Sequence, residues 1–224
     1  MPPRLSIVLP VLNEAASLPG TLARLRRDFP EAELLVVDGG SSDETVALAA
    51  MDSVQVLHSE RGRARQMNTG AAAARGDYLL FLHADSEPGY TAADLYPELA
   101  AEPAWGFAPV ILSGRRWVFR VIEHAISWRS RLTRVATGDQ GIFVLRSVFE
   151  DLGGYADIPL MEDVELSKRL RSQSAPRVLP WPVTTSSRRW ESHGVLRTIL
   201  TMWRLRLAYV CGVPPQRLYE RYYG

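Results

Sequence analysis

Four short apolar runs punctuate the first third of the chain: Leu5 to Pro10, Leu34 to Val37, Val54 to Leu57 and Tyr78 to Leu82. Segments with helical character separate them. Glu14 to Arg26 carries Leu18, Leu22 and Leu25 at helical spacing, Ser41 with Glu44 forms a capping-box signature, and Arg63 to Ala74 is rich in alanine. Strands that alternate with helices over short connections predict a parallel sheet with right-handed crossovers. Tyr78 to Leu82 has no polar alternation, as expected of a central strand covered on both faces. The fold class expected is therefore α/β, with a mostly parallel central sheet flanked by helices.

Open sheets of this kind bind ligands beyond the carboxyl ends of their strands, because all parallel strands present those ends on one edge. Asn13 and Glu14 follow the first run, Asp38 the second and Asp85 the fourth, so these side chains are expected to gather along one crevice. Each has a plainer reading: Asn13 as a helix cap, Asp38 as a turn former, Asp85 as the start of a turn before Pro88-Gly89. Between the third and fourth runs, Arg61-Gly62-Arg63-Ala64-Arg65-Gln66-Met67-Asn68 sets arginines around a glycine at a predicted helix start. Fixed positive charge and free backbone N–H groups make that a seat for a diphosphate, the alternative being a solvated basic helix face. No Gly-x-Gly-x-x-Gly follows the first run, which counts against a dinucleotide oxidoreductase.

The second half is less regular. Trp105 to Leu112 and Gly141 to Leu145 read as strands, Val118 to Leu132 as an amphipathic helix and Glu162 to Arg171 as another helix. On the last of these, Asp163, Leu166 and Leu170 share one face, whereas Glu162, Glu165 and Arg169 share another, with Glu165 and Arg169 spaced for an ion pair. Glu162 is thus expected in solvent. Asp163 opens an inward stripe at a helix N-terminus, where the dipole favours the ionised form; such a carboxylate suits a general base, and charge stabilisation of the helix is the competing explanation. Ser186 to His193 combines Arg188, Arg189, Trp190 and His193: the arginines could neutralise a leaving diphosphate, and His193 could join Asp85 on a divalent cation, though a lone histidine is more often a surface or core residue. From Val195 onward, Leu196, Ile199, Leu200, Trp203, Leu207 and Val210 form a wide apolar stripe flanked by arginines, for which docking on the body of the protein is favoured over contact with a membrane surface.

Composition excludes several classes. A formal net charge of +1 over 224 residues gives no overall field for nucleic acid, so no nucleic-acid partner is expected. Lys168 is the only lysine, and arginine makes forked phosphate contacts that lysine cannot. Cys211 is the only cysteine, which rules out an intrachain disulfide and a thiolate metal cluster. The first residues lack the apolar core of a signal peptide, and no uncharged run approaches a membrane span. A cytoplasmic location is expected, with peripheral membrane contact through the C-terminal helix as its one variant.

Taken in order, Pro10-Val11-Leu12-Asn13-Glu14, Val36-Val37-Asp38-Gly39-Gly40-Ser41-Ser42-Asp43, Asn68-Thr69-Gly70, Ala74-Arg75-Gly76-Asp77, His83-Ala84-Asp85 and Glu162-Asp163 resemble a family-2 glycosyltransferase of the GT-A fold over nearly the whole chain. Gly138-Asp139-Gln140-Gly141, Pro159 to Leu166 and Ser187-Arg188-Arg189-Trp190 further resemble the small bacterial subgroup named for its association with radical-SAM and selenium-domain proteins. The resemblance implies one GT-A domain, with residues 1–90 as the nucleotide-binding half and 91–224 as the acceptor-side half with the C-terminal helices. It implies a nucleotide-diphosphate sugar donor, UDP before GDP, an unidentified acceptor, and transfer by direct displacement with inversion. In that scheme Asn13, Glu14 and Asp38 face the nucleotide, Asp85 binds Mg²⁺ or Mn²⁺, and Asp163 is the catalytic base. Pro10, Arg61, Arg65, Asn68, His83, Ala84, Arg188 and Arg189 fall on the donor side, and Asp139, Gln140, Glu162 and Trp190 on the acceptor side. Two positions depart from the family pattern: His83 stands where the first aspartate of Asp-x-Asp is usual, and Asp38-Gly39-Gly40-Ser41 replaces Asp-Asp-Gly-Ser. A sugar-1-phosphate nucleotidyltransferase would need a glycine-rich basic loop after the first strand, which Pro10 to Glu14 does not supply; a non-catalytic nucleotide-sugar-binding module is disfavoured by Asp85 and Asp163 together.

Overall fold

A computed structural model describes residues 3–52 and 54–223, apart from the side chains of Arg189, His193 and Tyr223. In chain order the elements are β1 (Leu5–Val11), α1 (Leu18–Asp28), β2 (Glu33–Asp38), α2 (Thr45–Met51), β3 (Gln55–His58), α3 (Arg63–Ala73), β4 (Tyr78–Phe81), β5 (Glu87–Pro88), α4 (Ala92–Leu99), β6 (Trp105–Phe107), β7 (Val110–Leu112), α5 (Trp117–Thr133), a 3-10 turn (Gly138–Gln140), β8 (Ile142–Leu145), α6 (Arg146–Asp151), α7 (Glu162–Gln173), β9 (Arg177–Val178), β10 (Val183–Thr185), α8 (Arg188–His193), α9 (Val195–Val210) and α10 (Pro215–Tyr223).

The main sheet has the order β3-β2-β1-β4-β8-β6-β9. Its first four strands are parallel, and β8 then runs antiparallel to both β4 and β6. Side-chain period explains why β1 and β4 are apolar throughout. Ile7, Leu9, Leu80 and Leu82 pack with Leu18, Leu22 and Leu25 of α1 on one face, while Val8, Leu79 and Phe81 pack with Ala64, Met67 and Ala71 of α3 on the other. The sheet is the mostly parallel, helix-flanked one expected. Register pairs Val11 with Asp38 and Val8 with Phe81, so β1, β2 and β4 end on one edge. Because β8 is reversed, Ile142 pairs with Phe81 and the turn at Gly138–Gln140 is delivered to that same edge.

Some local expectations differ. Trp105 to Leu112 is two strands rather than one: β6 lies in the main sheet, and β7 joins β10 and β5 in a separate three-stranded sheet. Pro109 sits at the division, where it has no N–H for a ladder. The capping box at Ser41 and Glu44 does not form, because α2 starts only at Thr45 with Glu44 at its N-cap; the Ser41 hydroxyl accepts the Asn13 N–H at 2.9 Å, and Asp43 accepts the Thr45 N–H at 3.0 Å. Thr91 and Asp94 do form a reciprocal box, ahead of α4.

The stripe on α9 is not docked on the body. Thr198 and Leu205 face inward, whereas Leu196, Leu200, Trp203, Leu207 and Val210 are exposed. Helical geometry accounts for the difference: the stripe is wide enough to have two edges, and only its Val195 and Ile199 edge joins Phe119 and Ile122 of α5 in a small cluster. Among the described residues no helix is long and apolar enough to cross a membrane.

Candidate active site

The loops after β1 and β2 are tied together at the edge. Asn13 takes a left-handed conformation (φ 56°), and its Oδ1 accepts the Ser42 N–H at 2.8 Å. The Glu14 N–H donates to Thr45 Oγ1 at 2.8 Å, and the Ser17 hydroxyl donates to the Glu14 carboxylate at 2.5 Å. Asp38 is buried and accepts the N–H groups of Gly40 at 3.0 Å and Ser41 at 3.1 Å, which fixes its own turn. Gln66 of α3, buried beneath, donates to the carbonyls of Val11 and Val37 at 2.8 Å each and so clamps the two strand ends. Pro10 is half-buried in register with Val37.

Beyond β4, Ala84 is buried and its carbonyl accepts the Thr21 hydroxyl at 2.6 Å. Asp85 lines a cavity of about 290 Å³ with Ser17, Thr21, Arg24, Ser113 and Arg188. Among the described residues its carboxylate makes no hydrogen bond or ion pair, while neighbouring Arg24 is paired with Glu87 at 3.0 Å. The Arg188 guanidinium donates to Ser186 Oγ at 3.2 Å. Arg189 and His193 lie in α8, and their side chains fall outside the described ones.

A second group of charges sits where the Gly138–Gln140 turn meets the start of α7. Asp163 Oδ2 accepts the Gly138 N–H at 2.8 Å and Oδ1 the Val164 N–H at 2.7 Å. Burial nevertheless pushes the Asp163 carboxyl above its ordinary value; the two amides and Arg63 oppose the rise, and Asp139 adds to it. Glu162 is 6% exposed, not solvated. Burial, followed by the Asp163 charge, pushes it up to about 7, with Arg63 pulling the other way. The helical wheel misplaced it because the first turn of α7 is covered on more sides than the apolar stripe alone indicates. The remainder of that reading holds: Arg169 donates to Glu165 at 2.7 and 2.5 Å.

His83 links the two groups. A Cβ added at Gly138 would lie 2.5 Å from His83 Nε2, so the ring rests against the glycine whose amide holds Asp163. Burial and the charge of Arg63 push the imidazole down to about 3, leaving it neutral. Gln140 is buried and fully engaged: its Oε1 accepts the Ser130 hydroxyl at 2.8 Å and its Nε2 donates to the Ala108 carbonyl at 3.2 Å. Asp139 Oδ1 and Arg129 Nε are buried without hydrogen-bond partners among the described residues.

Arg61, Arg65, Asn68 and Trp190, expected on the donor and acceptor sides, have the following surroundings. Arg65 pairs with Asp157 at 2.8 Å and with Glu60, and Asn68 donates to the Tyr155 carbonyl at 2.8 Å and accepts its N–H at 2.9 Å. Both thereby moor α3 to the segment before α7. Arg61 is exposed. Trp190 is half-buried against Phe119 and Ile122. Two further residues bear on these charges, Arg63, expected only as a member of its arginine run, and Arg129, which the sequence reading passes over. Arg63 is the arginine of its run whose charge acts on Glu162, Asp163 and His83. It shares an i,i+3 edge with Gln66, whereas Arg65 projects about 200° away, and this spacing was a readable signal. Arg129, on α5, feels Asp139 and Asp163 but carries no signal beyond lying in an amphipathic segment.

Residues 6–147 match the family model described as "Glycosyl transferase family 2". A glycosyltransferase of Mycobacterium tuberculosis (strain ATCC 25618 / H37Rv), itself uncharacterized, is 36% identical over 135 residues, which cover 56% of this chain and 59% of that protein. A PGL/p-HBAD biosynthesis glycosyltransferase of the same strain is 40% identical over 91 residues, covering 37% of this chain and 36% of its own length. The chain thus spans less than two thirds of either relative. Among solved structures, the mannosyltransferase PcManGT from Pyrobaculum calidifontis in complex with GDP-Man and Mn²⁺ superposes with a TM-score of 0.63 at 20% identity, over 93% of this chain and 61% of that one. S. aureus TarS 1–349 in complex with UDP gives 0.62 at 16% identity, over 82% and 60%. The glucosyl-3-phosphoglycerate synthase of Mycobacterium tuberculosis with Mg²⁺ and UDP gives 0.58 at 19% identity, over 82% and 70%. These likenesses establish the GT-A fold.

Proposed function

This chain belongs to glycosyl transferase family 2, and from that premise we propose that it moves a sugar from a nucleotide-diphosphate donor, UDP-linked before GDP-linked, to an acceptor hydroxyl with inversion. The observation that carries the reading is the placement, at one sheet edge, of Asp85 in a cavity beside Arg188, without a hydrogen bond or ion pair among the described residues, together with a second carboxylate, Asp163, held by two backbone amides.

Residues 1–90 form the nucleotide half in this reading. The clamped loops around Asn13, Glu14 and Asp38 shape the nucleotide seat, and Arg188 and Arg189 receive the departing diphosphate. Asp163 removes the acceptor proton while the acceptor oxygen bonds to the anomeric carbon. The bond from that carbon to the diphosphate breaks, and its electrons leave with the nucleoside diphosphate. Trp190 offers a face to a sugar on the acceptor side, which comprises residues 91–224. The Gly138-Asp139-Gln140-Gly141 and Ser187-Arg188-Arg189-Trp190 motifs support membership of the radical-SAM/selenodomain-associated subgroup.

A divalent cation, Mg²⁺ or Mn²⁺, fits Asp85. Among the described residues no cluster of three or more metal-ligating side chains exists, but magnesium sites commonly use one or two carboxylates and complete their shell with phosphate oxygens and water. When bound, the cation would supply charge neutralisation to the leaving diphosphate. His193 is the second ligand of the proposal. Two neighbouring structures hold Mn²⁺ or Mg²⁺ with a nucleotide, which supports this cofactor class.

Release of nucleoside diphosphate from a panel of UDP- and GDP-sugars, with and without Mn²⁺, tests the proposal in the native chain and in Asp163→Asn and Asp85→Asn. Asp163→Asn is expected to lose about 10²–10⁴-fold in turnover while keeping donor-induced thermal stabilisation. Asp85→Asn is expected to lose the Mn²⁺-dependent part of that stabilisation. Undiminished turnover in Asp163→Asn would remove Asp163 as the base.

A further inference from the structure

Nine of the ten large hydrophobic side chains that stand exposed among the described residues lie on α5 and α9. On α5 they are Trp117, Val121, Trp128 and Leu132, and on α9 Leu196, Leu200, Trp203, Leu207 and Val210. Both sets follow helical spacing, on faces turned away from the side chains that dock each helix. The inner face of α5 holds Phe119 and Ile122; that of α9 holds Leu205, and Tyr209 meets the Lys168 ammonium at 4.5 Å. The two helices share one apolar cluster through Ile122, Val195 and Ile199.

Charge is as uneven as hydrophobicity. Residues 115–134 and 195–210 contain nine arginines and one glutamate, a net +8, although the whole chain carries only +1. Arg115, Arg116, Arg131, Arg134, Arg197 and Arg204 are exposed. On α9, Arg197 and Arg204 flank one side of the apolar face and Arg206 the other.

We propose that α5 and α9 together form a docking surface for an anionic lipid bilayer. Exposed tryptophans and leucines ringed by arginines suit the boundary between acyl chains and acidic headgroups. A second copy of this chain is the poorer occupant, since it would bring two arginine-rich faces against each other. The placement is purposeful for a transferase. Ser113, just ahead of α5, and Arg188, which opens the segment leading into α9, both line the Asp85 cavity, so docking brings that cavity to the lipid surface.

Flotation of the full chain with vesicles tests this, using phosphatidylcholine alone and phosphatidylcholine mixed with phosphatidylglycerol. The chain is expected to float with the anionic vesicles, to bind neutral ones at least tenfold more weakly, and to be partly released by salt. Arg197→Gln with Arg204→Gln should lower the partition coefficient roughly thirtyfold, and Trp203→Glu with Leu207→Glu should abolish flotation. Melting temperature and nucleoside diphosphate release without vesicles, measured on the same variants, are expected to stay native, which separates this proposal from the catalytic one. Equal partition onto both vesicle types, or flotation undisturbed by either double variant, would overturn it. A concentration-dependent dimer in sedimentation, broken by Trp203→Glu while vesicles are ignored, would overturn it in favour of a second copy.

Discussion

Glu162→Gln isolates the energetic consequence of burying two adjacent carboxyls at the start of α7. In the folded chain Glu162 is raised from 4.5 to about 7, by burial first and the Asp163 charge second. A group that binds its proton more tightly when folded stabilises the fold below its unfolded pKa, and that stabilisation is lost as pH rises through the folded value. The window here runs from about pH 4 to about pH 8. At about 1.4 kcal/mol per pH unit, the full swing is about 3 kcal/mol. For a chain of this size it corresponds to roughly 6–12 °C in melting temperature. Glutamine keeps the shape and cannot ionise. The assay is differential: melting curves of native chain and variant at pH 5 and pH 8.5 in matched ionic strength. The variant is expected to gain several degrees on the native chain between the two pH values. A difference between the two proteins that is constant with pH, or that moves in favour of the native chain at pH 8.5, would refute an ionisation held up by burial.

Two further outcomes follow from the same neighbourhood. Gly138→Ala would set a methyl 2.5 Å from His83 Nε2; an unfolding midpoint in urea corresponding to a loss of about 1–3 kcal/mol is expected, with turnover falling further because the amide on Asp163 is displaced. Arg63→Gln removes the charge that holds both Glu162 and Asp163 down; the acidic limb of kcat/KM against pH should move upward, and a limb that moves downward or stays still would show that Arg63 acts elsewhere.

What could be read without the structure was whatever repeats along the chain. Uninterrupted apolar runs bounded by polar turns located β1, β2, β3 and β4 within a residue or two, whereas the alternation of Ile7, Val8 and Leu9 between two cores, both apolar, left no mark in the sequence. The reversal of β8 was not legible, since four apolar residues carry no direction. Side chains that serve the backbone were equally hidden: Ser41 and Glu44 fit a capping box, but α2 starts only at Thr45, and the Ser41 hydroxyl accepts the Asn13 N–H from 28 residues away. Glu162 was misjudged by the same logic, because a wheel drawn from Leu166 and Leu170 knows nothing of what covers the end of the helix. The stripe on α9 showed the opposite failure: its composition was plain, but which edge would be covered depended on the position of Phe119 and Ile122.

The segment His83-Ala84-Asp85 works as a ruler. Its first residue abuts the glycine that holds Asp163, its second is pinned through its carbonyl to Thr21, and its third stands in the cavity beside Arg188. Two peptide units therefore separate the residue that abuts the Asp163 turn from the carboxylate in the cavity. Insertions and rearrangements along α5, α9 and α10 can change what the protein approaches, but a one-residue change inside this tripeptide would put both carboxylates out of step with each other.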